Sequence, residues 1–105
     1  MHSIHHPEAT AIIAVTSADS RAIAVAARKE LAGGRPVNIL FDHKGERSLV
    51  ARIIRYARDD FYVGHASQLA TRHTGAGHAV MAAVERLERH EREAISPKHA
   101  RLGRA

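Results

Sequence analysis

Arginine is the residue type in this sequence with the clearest chemical use. A guanidinium donates paired hydrogen bonds to phosphate oxygens, so several of them on one surface are typical of nucleic-acid binding. Five cations in the middle of the chain form the candidate RNA-binding set: Lys44, Arg47, Arg52, Arg55 and Arg58. Their types and spacing predict a surface that binds the phosphates of a nucleic acid.

The overall charge agrees with a polyanionic partner. The chain has 105 residues, with 16 Lys and Arg against 11 Asp and Glu and a net charge of +5. Thirteen of the cations are arginine and alanine is the commonest residue, a pattern that GC-rich coding also produces. The distribution is more informative than the total: residues 1–34 are neutral, whereas residues 35–75 carry seven cations against four anions.

Polar residues at the ends of the expected strands form a second candidate site. They are Ser17, Asp19, Asp42, His43 and His65, together with Lys44. Ligands bind beyond the carboxyl ends of the strands in an open parallel sheet, and these residue types suit acid–base or phosphate chemistry there. The alternative is that they are helix caps and turn residues, since Asp, Ser and Gly commonly have those roles.

A third candidate is the segment Arg72–Gly77, with the pattern R-x-x-G-x-G before an expected helix. It resembles the pyrophosphate-binding loop of the acetyltransferase superfamily, where backbone N–H groups at a helix start hold acetyl-coenzyme A. The resemblance implies an alternative function, a small acyl-transfer or small-ligand-binding protein. No G-x-G-x-x-G or phosphate-loop pattern is present, so no nucleotide cofactor is expected.

The composition excludes several kinds of site. There are no cysteines, which excludes disulfides, thiolate metal sites and a cysteine nucleophile. Nine histidines are present, but no pair combines the i, i+4 spacing of a helical metal site with a carboxylate partner, so no metal is expected. The longest apolar runs, Ala22–Ala27 and Ala79–Val84, have six residues each, far short of the roughly 18 residues that a membrane span needs, and the N-terminus lacks a signal-peptide pattern. We therefore expect a cytoplasmic protein.

Hydrophobic patterns predict the elements that position these residues. Strands are predicted at 10–15 and 36–41, with a helix at 21–31 between them that Asp19 or Ser17 caps and Gly33–Gly34 ends. A third short strand is predicted at 61–64, followed by an irregular segment or edge strand at 65–74. A last helix begins at His78 and ends near Ala94, before Pro97.

The segment 48–58 decides whether the arginines share a surface. A helix there gathers the apolar residues on one side and places Arg47, Arg52, Arg55 and Arg58 on the other, within about 140° at roughly 100° per residue. We predict this helix. The alternative is a β-hairpin that turns at Lys44–Gly45, which the β-branched content favours. The arginine-rich face exists only in the helical case.

Together the elements predict an α/β fold in the order βαβαβ(β)α. We expect one small three-layer domain over residues 10–95, with a mostly parallel or mixed sheet of three to five strands and three helices on its faces. Residues 1–9 are expected to be a flexible leader and residues 96–105 a basic, disordered tail.

Several short motifs resemble the anticodon-binding domain of class II aminoacyl-tRNA synthetases, the histidyl type most closely. They are the strand at 11–15, the end of the helix at 26–34 and the strand at 36–42. The segment 45–49, followed by 54–58, is similar to that family's helix with the motifs G-x-S-L and (K/R)-Y-A-D. Gly64 corresponds to the glycine after the family's third strand, and Thr74–Gly75 to the turn before its last strand and helix. The resemblance implies a free-standing, shortened and non-catalytic relative whose partner is tRNA. A third class remains open beside the RNA-binding and acyl-transfer hypotheses: a small homo-oligomeric interaction or regulatory protein whose basic charge is incidental.

Overall fold

The structure, a computed structural model, describes residues 10–65 and 68–95. The elements in chain order are β1 (Ala11–Val15), α1 (Ser20–Ala32), β2 (Val37–His43), β3 (Glu46–Ala57), β4 (Asp60–His65), β5 (Gln68–Thr74) and α2 (Ala76–Ile95). The expectations of a flexible leader at 1–9 and a disordered tail at 96–105 lie outside the described residues.

The five strands form one mixed sheet in the order β1-β2-β3-β4-β5. β1 and β2 are parallel and are connected through α1, whereas β2 to β5 follow one another in sequence and each pairs antiparallel with the next. The prediction of a small α/β domain with a mixed sheet is therefore confirmed. The described residues contain two helices, so the prediction of three is wrong.

The error lies in the segment 48–58, which belongs to the long strand β3. Lys44 and Gly45 both have positive φ, 54° and 84°, as a two-residue type I′ turn requires, and this turn folds β3 back along β2. The hairpin alternative at Lys44–Gly45 is confirmed. Pairing from Val37↔Ile53 to His43↔Glu46 then satisfies the β3 backbone along its edge with β2.

Both helices lie on one side of the sheet, which makes two layers in place of the expected three. Alternate strand residues are buried beneath the helices: Val37, Ile39, Phe41, Val50, Ala51, Ile53, Phe61 and Val63. The buried helical residues belong to the same cluster: Ile23, Ala27, Leu31, Ala79, Val80, Ala83, Val84 and Leu87. No described element covers the opposite side of the sheet, which we name the outer face.

Helix α1 has a capping residue at each end, as the sequence predicts. Asp19 is the N-cap, and its Oδ1 accepts a hydrogen bond of 3.1 Å from the Ala22 backbone N–H. At the other end Gly34 takes φ 85°, while the N–H groups of Gly34 and Arg35 donate to the carbonyls of Leu31 and Glu30. This pair of bonds is the Schellman motif, and it fixes the direction in which the chain enters β2.

Replacement of Asp19 by alanine is expected to destabilise the domain by about 1 kcal/mol, because a backbone N–H of the first turn loses its acceptor. The measurement is urea unfolding followed by circular dichroism. Ser20→Ala is the matched control, since Ser20 is exposed in the same turn and makes no capping bond. Equal losses in the two variants would show that the Asp19 side chain does not act as a cap.

Candidate nucleic-acid interface

The outer face carries aromatic, cationic and apolar side chains on an open sheet. Strand alternation and register place these residues on it: Ile12, Ala14, Asn38, Leu40, Asp42, Arg47, Leu49, Arg52, Ile54, Tyr62, Gly64 and Arg72. A sheet with one face packed on helices normally has a polar solvent face. Here Ile12 is 64% exposed and Ile54 is 41% exposed, so the outer face is unusually apolar for one open to water.

Two tyrosines meet at the β4 side of this face. The rings of Tyr56 and Tyr62 are 5.4 Å apart in an edge-to-face arrangement. Tyr56 sits where the β3–β4 register shifts, between Arg55 and Ala57, and it is 66% exposed. The bulge therefore brings both tyrosines of the chain together and leaves an aromatic surface open to solvent.

Arg72 of β5 lies directly across from Tyr62. Its Nη2 donates a 2.9 Å hydrogen bond to Oδ2 of Asp60. The Asp60 carboxylate, first by this bond and then by its charge, raises the pKa of Arg72 above its usual range, and Tyr62 adds a smaller effect in the same direction. Arg72 is thus a fixed cation beside the tyrosine pair.

Arg52 occupies the centre of the outer face, between Asn38 of β2 and Gly64 of β4. Its guanidinium forms no ion pair within the described part of the chain. The Oδ1 atom of the neighbouring Asn38 is buried and accepts no hydrogen bond there either. A buried acceptor without a donor is uncommon in a folded domain. The exposed Arg52 guanidinium, in contrast, is available to a ligand.

A hollow of about 230 Å³ opens beside Arg52 on the outer face. Gly64 and Ala70 form part of its floor. The two residues are so close that a Cβ atom on Gly64 would lie 3.1 Å from the Cβ of Ala70. The other lining residues are Leu49, Arg52, Ile54, Tyr62 and His65. Whole ligands occupy cavities of about 300–1,000 Å³, so this hollow suits one ring system and not a complete coenzyme.

The structure does not bring the five predicted cations into one cluster. At roughly 3.3 Å per strand residue, Arg47 lies about 33 Å from Ala57 at the other end of β3, and Arg58 follows in the turn. Lys44 lies in the turn before β3, and Arg47 pairs with Asp42 at 3.4 Å. Arg55 lies on the side of the sheet opposite Arg52 and donates to the backbone carbonyl of Arg58 in the β3–β4 turn. The arginine-rich helix face is therefore wrong, and Arg47 and Arg52 are the members that share the outer face.

The residues at the strand ends have the roles of caps and turns. Asp19 caps α1, Asp42 pairs with Arg47, and the His43 ring stacks on Phe41 at 5.9 Å between centroids. Among the residues that the structure describes, no hydrogen bond joins the loop at Ser17 to either of the other loops. The contacts of Asp19 and Asp42 agree with the cap-and-turn alternative for these two residues.

The segment Arg72–Gly77 is divided between two sides of the domain. Arg72 is held by Asp60 over the outer face, whereas Gly77 lines a hollow between the helices. The Gly75 N–H is occupied by the Asp59 carbonyl at 2.7 Å, and Gly75 adopts φ 92° before α2 begins. Arg72 is thus separated from the glycine-rich start of α2, whereas the acetyltransferase resemblance requires both in one phosphate-binding loop.

The described residues contain neither a metal-binding cluster nor a membrane-spanning helix. Within the described ranges no group of three or more His, Cys, Asp or Glu side chains is placed to hold a metal ion. No helix in that part of the chain is long and apolar enough to cross a membrane.

The fold and this interface define a class: a small α/β domain with helices on one side of its sheet and an open face that carries arginine and tyrosine on the other. Comparison of the chain with protein-family models, curated proteins and solved structures gives no match. Its function is therefore argued from the outer face itself.

Proposed function

We propose that this chain is a non-catalytic RNA-binding module that binds single-stranded segments of tRNA or another structured RNA on its outer face. The observation that carries the proposal is the exposed Tyr56–Tyr62 pair with Arg72 and Arg52 beside it on an open sheet. This combination replaces the arginine-rich helix as the binding surface.

The tyrosine pair supplies the aromatic contact that unpaired bases use. Bases in loops and single strands stack on aromatic side chains, and each such contact contributes about 1–3 kcal/mol. Tyr56 is exposed enough to receive a base without rearrangement. The adjacent hollow at Gly64 has room for a second ring system, with Arg52 at its edge. Duplex RNA offers no unstacked base to this surface, so single strands are favoured.

The cations of the outer face supply the phosphate contacts. Arg47, Arg52 and Arg72 are exposed there, and Arg52 lacks an acidic partner within the described residues. Arg47 and Arg72 already pair with Asp42 and Asp60, so a phosphate that replaces either carboxylate adds less binding free energy than a phosphate at Arg52. Three cations on single-stranded phosphates give a slope of log K against log salt of about −2.

The resemblance to the anticodon-binding domain of class II aminoacyl-tRNA synthetases supports tRNA as the first RNA to test. The 54–58 segment that this resemblance compares with a helix lies mostly in β3, so the mode of contact differs even if the partner is the same. A cytoplasmic location would follow from such a partner.

The test is a titration of fluorescently labelled tRNA and of a short labelled single strand, followed by anisotropy. We expect affinity to fall about 15- to 20-fold between roughly 50 and 200 mM salt. Tyr56→Ala should weaken binding by about 1–3 kcal/mol, whereas Tyr56→Phe should retain most of it. Arg52→Ala should weaken binding and reduce the salt slope by about 0.7.

Arg89→Ala is the matched control for Arg52→Ala, because it removes an exposed arginine from α2 in the helical layer. It should change affinity by less than about twofold, since its charge lies far from the RNA and is screened. Absence of binding to either RNA, or equal weakening by Arg89→Ala and Arg52→Ala, would refute the proposal.

A further inference from the structure

The outer surface of the helical layer has a feature that RNA binding does not use. Two adjoining hollows of about 500 and 460 Å³ form one groove between α1 and α2 and share Ala24, Val80 and Met81. Val25 is 67% exposed and Met81 is 61% exposed at its sides. Apolar side chains this exposed beside a concave surface mark a site of association.

The two sides of the groove have opposite charge. At one end Arg21 of α1 faces Glu85 and Glu88 of α2, and at the other end Arg28 of α1 lies across from His78. Arg21, Glu85 and Glu88 form no ion pair in the described part of the chain. The α1 side is thus basic, and the α2 side is acidic at the Arg21 end, with these charges unpaired among the residues that the structure describes.

We infer that this groove is the interface of a symmetric homodimer, in which α1 of one copy lies against α2 of its partner. A two-fold axis that runs along the groove places α1 of one copy over α2 of the other. Each residue keeps its position along the groove under this rotation. Arg21 of each copy then faces the Glu85 and Glu88 positions of the other, so every ion pair is formed twice. A two-fold axis in the plane of the interface but perpendicular to the groove would instead place α1 of one copy on α1 of the other. The arginines of the two α1 helices would then face each other and repel.

The apolar residues suit the same arrangement. The flexible, unbranched Met81 side chain of one copy can enter the groove of the other and fill space over Ala24 and Val80. Val25 lies on the opposite side of the groove and is covered in the same step. A second copy therefore matches both the charges and the exposed apolar surface, whereas an acidic or a basic partner would match one side alone.

The test measures the mass of the full chain by sedimentation equilibrium over about 1 µM to 1 mM, the range in which weak interfaces dissociate. We expect twice the chain mass of 11.5 kDa at the upper end. Val25→Glu and Met81→Glu should each weaken the dimer at least about 10-fold, as loss of a central contact does. Both positions are exposed, so folding, checked by circular dichroism, should be unchanged.

Ile12→Glu is the matched control, because Ile12 is 64% exposed on the outer face and undergoes the same change. It should leave the dimer intact. Arg21→Glu and Glu85→Arg should each weaken association, and the double variant should recover most of it. A monomer at every concentration, dissociation by Ile12→Glu but not by Val25→Glu, or no recovery in the double variant would overturn the inference.

Discussion

Replacement of Ile53 by aspartate is expected to unfold the domain. Ile53 is fully buried in β3, the central strand, and belongs to the core that packs beneath α2. A carboxylate there has no cationic partner and costs several kcal/mol as a charge, or must stay protonated. Small domains have a free energy of unfolding of about 5–15 kcal/mol, so the Ile53→Asp variant should lose most of its stability. Urea unfolding and one-dimensional proton spectra measure the outcome.

Ile54→Asp is the control, because the next residue of a strand points to the opposite face. Ile54 is 41% exposed on the outer face, so its substitution should cost less than about 1 kcal/mol. The helical alternative puts residues 53 and 54 on the same apolar side. Equal destabilisation by the two variants would therefore contradict the strand.

Phe41→Ala is expected to cost about 3–5 kcal/mol, the second largest effect. The Phe41 ring is 1% exposed and lies 5.6 Å from the ring of His90 on α2 and 5.9 Å from that of His43. Its removal leaves a cavity between β2 and the second half of α2. The measurement is thermal or urea unfolding of the purified chain.

Leu40→Ala provides the comparison for Phe41→Ala, since Leu40 is the neighbouring residue on the outer face and is only half-buried. It should cost about 1 kcal/mol. A loss at Leu40 as large as that at Phe41 would mean that the outer face is packed in solution, for instance against a second copy.

The elements at both ends of the described chain were predictable because each has one strong local signal. α1 has Asp19 before it and Gly33–Gly34 after it, and the observed bounds differ from the predicted ones by one residue at each end. β1 and β2 are short apolar runs between turn residues, which is the pattern of buried strands. α2 likewise begins within two residues of the predicted position.

β3 was not predictable from periodicity because two irregularities break its alternation. The extra residue at Val50 and the extra residue at Tyr56 each shift the pattern by one position. The outer face is also partly apolar, so Leu49 and Ile54 add hydrophobic residues where a strand would normally be polar. The result imitates the spacing of a helix, and the local signal that could have decided the question was the Lys44–Gly45 turn.

The candidate site was only partly predictable for the same reason. Arg47 and Arg52 were selected by residue type, and that choice did not depend on the element. Tyr62 and Arg72 come from β4 and β5, and only the sheet pairing places them beside Tyr56 and Arg52. The available signal was the presence of two tyrosines, both near the arginines in sequence. Their contact depends on the bulge at Tyr56, whose position the hydrophobic pattern alone does not identify.

The connections of the sheet also set the order in which its parts form and come apart. β2 to β5 are consecutive in the chain and pair in that order, so their contacts are local in sequence and form quickly. β1 is a five-residue edge strand whose sheet pairing is with β2 alone, and it joins only after the α1 crossover has folded. Loss of β1 leaves the antiparallel hairpins paired with one another. We therefore expect β1 to open at a lower free energy than the central strands β2 to β4, which carry both tyrosines and Arg52.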